Sequence, residues 1–151
     1  MIIWVDADAC PRAAKSLIYA AAERFSVDAC LVANTDLRVP NSDFISTVVV
    51  GGSHDEADDF IAEHVVPGDI VITADIPLAA RAVDGGAVGI DPRGQLYTEE
   101  NVKSKLAMRN LLAGLRESGM QGGGPPPYNQ KDRHKFATAL DRLLTRQLQD
   151  R

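Results

Sequence analysis

Ile2-Ile3-Trp4-Val5-Asp6-Ala7-Asp8-Ala9-Cys10-Pro11 opens the chain with four apolar residues, two acids one residue apart, and a proline. A continuous apolar run this short suits a strand buried on both faces better than an alternating, half-exposed one. Pro11 then suits the first position of a helix, and Ala13, Leu17, Ile18 and Ala21 carry an apolar stripe at helical spacing to about Phe25. Strand, acidic turn, helix is the opening of a parallel α/β unit. The pattern recurs downstream, with strand candidates at 29–33, 47–50, 70–72 and 87–90. Ser53 and Glu56 read as a capping box for a helix that turns Ala57, Phe60, Ile61 and Val65 inward. A further helix is expected from Pro77 to about Val83, closed by Gly85-Gly86. A long amphipathic helix is expected over about 99–117, with Val102, Leu106, Leu111, Leu112 and Leu115 on its apolar side. Gly122-Gly123-Gly124-Pro125-Pro126-Pro127 is a linker by composition, and a basic helix follows over about 131–148. Helices between short apolar strands predict a mostly parallel sheet of about five strands, covered on both faces, with the 2–5 strand central.

The chain has 151 residues, room for one well-buried domain. The expected organisation is an α/β domain over 1–118, with 119–151 supplying the linker and a basic helix packed on that same domain. No apolar run approaches the ~18 residues that a membrane span needs. The first residues lack the basic start and longer apolar stretch of an export signal. Cys10 and Cys30 alone suggest neither a disulfide framework nor a zinc site, so a reducing cytoplasmic setting is expected. Net charge is −5 and uneven: residues 1–100 carry 17 acidic and 6 basic side chains, residues 101–151 carry 4 and 10. The competing explanation of this asymmetry is helix surfaces that happen to differ.

The acids at strand ends are the chemical signal. Asp6 directly follows the first strand, and Asp8 faces the same way if the backbone stays extended. Asp75 lies just past Ile70-Val71-Ile72. In an open α/β sheet, ligands bind beyond the carboxyl ends of the strands, where the strand order reverses. Asp55, Asp58 and Asp59 fall in the first turns of a helix, where acids also favour the helix dipole. Asp58 flanks the buried stripe and so reaches toward the sheet edge, whereas Asp59 falls on the far, solvated face. Two carboxylates about 4 Å apart repel by roughly 4 kcal/mol at an effective dielectric near 20. A convergent cluster therefore keeps protons or binds a hard cation. Mg²⁺ and Mn²⁺ accept such oxygens and retain waters for a substrate phosphate.

Asp6-Ala7-Asp8-Ala9-Cys10-Pro11, Asp55-Glu56-Ala57-Asp58, Ile72-Thr73-Ala74-Asp75-Ile76-Pro77-Leu78-Ala79 and Pro92-Arg93-Gly94 together resemble the YaiI/YqxD family of bacterial proteins. Gly123-Gly124-Pro125, Asp132-Arg133 and Phe136 extend the resemblance over nearly the whole chain. It implies a PIN-like three-layer fold, related to metal-dependent nucleases that gather acids at the ends of parallel strands. By that resemblance Asp6, Asp58 and Asp75 match metal ligands, and Asp8 is an addition of this family's own motif. No residue stands out as a fourth PIN-type acid; Asp91, after the fifth strand, is the candidate.

The remaining polar residues divide between site and scaffold. Cys10 precedes a helix, a place that activates thiols, but it has no histidine near it in sequence and is expected to be a small buried cap. His54, His64 and His134 show no metal-ligand spacing, and His64 falls at the edge of an apolar stripe. Arg93 is placed to hold a phosphate or to pair with Asp91 or Asp75. Asn34 follows the second strand and is a candidate to line the same crevice. Lys131, Arg133, Lys135, Arg142 and Arg146 offer cations to nucleic-acid phosphates, or form a solvated helix face.

The leading expectation is divalent-metal-dependent phosphodiester hydrolysis, of RNA, with Asp6, Asp8 and Asp75 catalytic, Asp6, Asp8, Asp58 and Asp75 on the metal, and Asn34, Arg93 and Arg133 on substrate. One alternative is a non-catalytic PIN-like module that binds RNA or a protein. The other is a haloacid-dehalogenase-like phosphatase, with Asp6 as nucleophile, Asp8 as acid/base and Thr73 ending a strand.

Overall fold

The computed structural model describes residues 1–53, 55–117, 119 and 126–149. His54 and most of the Gly/Pro linker lie outside them. Among the described residues six strands form one sheet: β1 (Ile2–Asp6), β2 (Asp28–Ala33), β3 (Ile45–Val49), β4 (Ile70–Ile72), β5 (Val88–Ile90) and β6 (Leu96–Tyr97). The order across the sheet is β3-β2-β1-β4-β5-β6, parallel except for β6 against β5. The expected mostly parallel sheet with a central first strand is present. The sixth strand is new, and at two residues it is too short to carry a periodic signal.

Alternation along β1 assigns the two faces. Ile3 and Val5, with Leu31, Ile70, Ile72 and Ile90, pack against α1 (Arg12–Phe25) and α5 (Gln130–Gln149). From those helices come Ala14, Ile18, Ala21, Phe136, Leu140 and Leu144, all buried. Trp4, Cys30, Val32 and Val71 point the other way, onto Ala57 and Ile61 of α2 (Glu56–His64) and Leu78 and Ala82 of α3 (Ile76–Asp84). The result is helix, sheet, helix in three layers, as an all-buried parallel sheet requires. An Arg24–Asp141 ion pair also ties α1 to α5.

Two local expectations need correction. The helix start near residue 55 has no capping box: Asp55 occupies the N-cap without a side-chain hydrogen bond, and Ser53 contributes only its carbonyl, to the Glu56 amide. The long helix, α4 (Glu99–Glu117), buries Val102, but Leu111, Leu112 and Leu115 are exposed, with Met108 beside them. α4 rests on α3 at a sheet edge that ends in a two-residue strand, so its later turns outrun the core. Among the described residues no helix is long and apolar enough to cross a membrane.

Candidate functional site

The chain leaves β1 for β2 and β3 on one side, then crosses back to β4 on the other. The reversal falls between β1 and β4, the crevice where open α/β sheets bind ligands. Register puts Val5 beside Ile72, so the next residues, Asp6 and Thr73, meet at the carboxyl ends of two neighbouring strands. Both follow the parity of Trp4 and Val71 toward the α2–α3 side.

Thr73 is the organising side chain. It is 1% exposed. Its Oγ1 donates to Asp6 Oδ2 at 2.9 Å and accepts from the Asp75 amide at 2.9 Å. The second contact is a threonine turn that swings the chain out of β4 into α3. Asp75 is then the N-cap, its Oδ1 accepting from the Leu78 amide at 2.9 Å, with Pro77 in the first turn. One hydroxyl thus ties the end of β1 to the start of α3. Tyr97 closes the back of this contact: its phenol donates to the Thr73 carbonyl at 3.1 Å, and its ring lies across Gly89, the residue opposite it in β5. The sequence signal for Thr73 was available in its position two residues beyond buried Val71 and two before Asp75.

Asp6 is 7% exposed, and its pKa is raised, first by burial and then by the charges of Asp75 and Asp8; the Thr73 hydroxyl pulls against that rise. Asp58, in the first turn of α2, is pushed up to about 6, first by burial, then by Asp75, Asp6 and Asp55, with Arg81 opposing. Asp6, Asp58 and Asp75 therefore feel one another in a partly desolvated crevice. Among the described residues, however, no three acidic, histidine or cysteine side chains are grouped closely enough to hold a metal ion by themselves. Mg²⁺ commonly takes one or two carboxylates and keeps waters for the rest of its shell, so hard, mutually repelling oxygens in this crevice suit it without a closed cage.

Asp8 does not sit on an extended register. Residues Ala7–Ala9 form a single 3₁₀ turn, and Asp8 Oδ2 accepts from the Asn34 amide at 2.7 Å, bridging the ends of β1 and β2. Asn34 thus joins the same end of the sheet, and its side-chain Oδ1 is buried without a hydrogen-bond partner. A buried oxygen without a donor is costly unless a ligand, water or cation supplies one. Asp59 is exposed and pairs with Arg81 at 2.7 Å.

The remaining candidates lie on the β5–β6 turn and on or beside α5, α1 and α2. Asp91 Oδ1 accepts from the amides of Arg93 and Gln95, closing the β5–β6 turn. Arg93 Nη1 binds Asp132 Oδ2 at 2.7 Å, Nη2 binds the Pro126 carbonyl, and the guanidinium lies over the Tyr128 ring. Its donors tie down the approach to α5, and its ion-pair partner is Asp132, a residue outside the pairings the sequence suggested. Arg133 is exposed in the first turn of α5. Cys10 is buried and its thiol is pushed up to about 12 by burial, which leaves it unreactive at neutral pH. It precedes Pro11, the actual N-cap of α1. His64 is exposed and stacks on Phe60 with ring centroids 4.0 Å apart.

A sequence model described as "Uncharacterized BCR, YaiI/YqxD family" matches residues 4–146. The chain is 54% identical to a UPF0178 protein of Geobacter sulfurreducens over 98% of this chain and 99% of that one. It is 53% identical to a UPF0178 protein of Geobacter metallireducens, over 99% and 97% of the two chains. A UPF0178 protein of Hydrogenovibrio crunogenus is 51% identical over the full length of both. No solved structure matches the chain.

Proposed function

The chain belongs to the YaiI/YqxD family, and from that premise we propose a PIN-like, divalent-metal-dependent phosphodiesterase that acts on RNA. The observation that carries the proposal is Asp6, a buried carboxylate at the β1–β4 reversal, electrostatically coupled to Asp75 and Asp58. Three acids in one crevice repel each other, and a hard cation is the ligand that relieves the repulsion.

In this reading Asp6, Asp58 and Asp75 hold Mg²⁺ or Mn²⁺, with Asp8 beside them. Bound there, the ion supplies a Lewis acid for a phosphoryl oxygen and eases ionisation of a water. The chain's own groups do the positioning. Thr73 fixes one Asp6 oxygen and leaves the other free. Asp75 spends one oxygen on its helix cap and keeps one for the ion. Asp8, steadied by the Asn34 amide, has a second oxygen with which to orient a water. The unpartnered Asn34 Oδ1 adds an acceptor at the same end of the sheet.

The test is cleavage of an end-labelled single-stranded RNA with Mg²⁺, with Mn²⁺, and with chelator. Wild type should cleave only with metal, and Asp75→Asn should lose on the order of 100-fold in rate, typical for removing one electrostatic contributor. Asn caps about as well as Asp, so its fold should hold. Equal cleavage by wild type and variant would sink the assignment.

A second reading, a PIN-like module that binds RNA or protein without turnover, is favoured by the lack of a closed three-ligand group among the described residues. Metal binding with no cleavage would select it. Trapping a covalent aspartyl-phosphate on Asp6 would instead select the phosphatase reading.

A further inference from the structure

The other face of the sheet edge carries a groove that the acidic site does not use. It runs between α5 and the β5–β6 hairpin, as a cavity of about 430 Å³ that adjoins another of about 300 Å³ through Gly94, Ala139 and Arg142. Beside the Arg93–Asp132 ion pair, which lines the first, its cations are Lys135 and Arg142 of α5 there, and Arg142 and Arg146 in the second. These side chains recur at helical spacing, so one face of α5 carries them over ~16 Å of helix. The opposite face holds Phe136, Leu140 and Leu144 in the core, so the direction of the cations is set by folding itself.

Charge compensation is uneven along α5. Its two acids in the described segment, Asp132 and Asp141, are both engaged by arginines from elsewhere, Arg93 and Arg24. Among the described residues Lys135, Arg142 and Arg146 have no carboxylate partner, and all three are exposed. The groove is thus a row of uncompensated cations on a chain whose first 100 residues are strongly acidic.

The groove also has a direction. It opens at Gln95, beyond the carboxyl end of β5, which is the end of the sheet that bears the acids. Gln95 Oε1 accepts from Lys105 Nζ, that ammonium lies over the Tyr97 ring, and the Tyr97 phenol binds Thr73, the partner of Asp6. From there α5 descends toward the amino end of β4, where Gln147 Nε2 binds the Gly68 carbonyl.

We propose that this groove is a track for the sugar–phosphate backbone of a single RNA strand, with Lys135, Arg142 and Arg146 on phosphates spaced along it and the strand running up toward the acidic crevice. The affinity for phosphate follows from the groove's own cations; that the strand is RNA rests on the phosphodiesterase reading above. A rise of ~3.4 Å per nucleotide in a duplex strand gives the scale on which ~16 Å spans several phosphates. Among the described lining residues there is no Phe, Tyr or Trp, and His134 is the one ring, so stacking is limited and recognition is mainly of the backbone.

Binding of a fluorescent 12-nucleotide RNA, read by anisotropy in chelator, tests the groove without metal or cleavage. Three phosphate contacts predict a slope of log Kd against log salt of about 2. Arg142→Gln with Arg146→Gln should weaken binding at least about tenfold at low salt, because these side chains supply most of the contacts. Removing two charges from α4 instead, as Lys103→Gln with Arg109→Gln, should leave affinity within about twofold. Equal weakening by both double variants would mean that net charge alone is read, and overturns the track. So does an absence of wild-type binding at low salt, or unchanged binding by the α5 variant. Binding that follows these expectations beside a failed cleavage assay keeps the track and removes only the catalytic reading.

Discussion

A single hydroxyl determines how Asp6 and Asp75 sit relative to each other. Among the described residues Thr73 is the side chain that donates to Asp6, and it holds the turn that makes Asp75 a cap. Thr73→Val keeps the shape and removes both bonds, leaving a buried carboxylate without its donor. The expected cost is about 2 kcal/mol in urea denaturation near neutral pH. Thr73→Ser should recover most of it; a valine variant as stable as wild type would show that the hydroxyl does not organise the crevice. Asp6 and Asp75 were legible in the sequence because a strand end is marked by where an apolar run stops. Asp8 was legible as an acid just beyond β1, but its direction was not. Whether residues after a strand stay extended or curl into a 3₁₀ turn depends on a tertiary contact, here the Asn34 amide, that no local pattern records. The same holds for Arg93, whose partners lie 33 and 39 residues away.

At the scale of elements, the β5–β6 hairpin governs both the acidic crevice and the groove. Gly89 has room for the Tyr97 ring, and a Cβ there would meet that ring at 3.0 Å. Gly94 sits at φ +91°, and a Cβ would lie 2.7 Å from the Lys135 carbonyl oxygen, so the hairpin turn can rest on the α5 backbone only as glycine. Backbone cannot yield as a flexible side chain does. Gly94→Ala should therefore lower stability by roughly 2–3 kcal/mol, from left-handed strain and lost packing together. Gly52→Ala, where a Cβ would meet nothing within 4 Å, should be near neutral, and chemical denaturation of the pair measures the contrast. The strands from β1 to β5 were readable because burial on both faces makes continuous apolar runs. β6 was not, since two residues show no period. α4 was placed in sequence to within its observed ends, yet its apolar stripe misled: periodicity reports that a face is apolar, not that something covers it.

Over the whole molecule, the partly buried acids Asp6 and Asp58 set a dependence on pH that runs opposite to ordinary acid denaturation. Asp58 has its pKa raised to about 6 in the folded protein, from a reference of 3.8, and Asp6 is raised as well. Between those values the folded state holds a proton that the unfolded chain has released. Stability from this group is therefore greatest below about pH 4, falls as pH rises toward 6, and stays low above it. Other carboxylates overlay the trend in wild type, so the clean measurement is a difference. Asp58→Asn should match wild type near pH 4 and exceed it near pH 7.5, by about 1 kcal/mol once solvent screening of a half-buried group is allowed for. Loss of the favourable helix-dipole interaction in the first turn of α2 works against this gain, at ~0.3–1 kcal/mol. Millimolar Mg²⁺ or Mn²⁺ supplies the decisive comparison. An ion that binds only the folded state raises the melting temperature by linkage, and it should do so for wild type at pH 7.5 far more than at pH 4.5, where protons compete for the same oxygens. In Asp58→Asn that metal-dependent rise should shrink, because the repulsion that the ion relieves is already reduced. A wild-type melting temperature indifferent to both metals at pH 7.5 would leave the acids as uncompensated repulsion and remove the metal from the proposed chemistry.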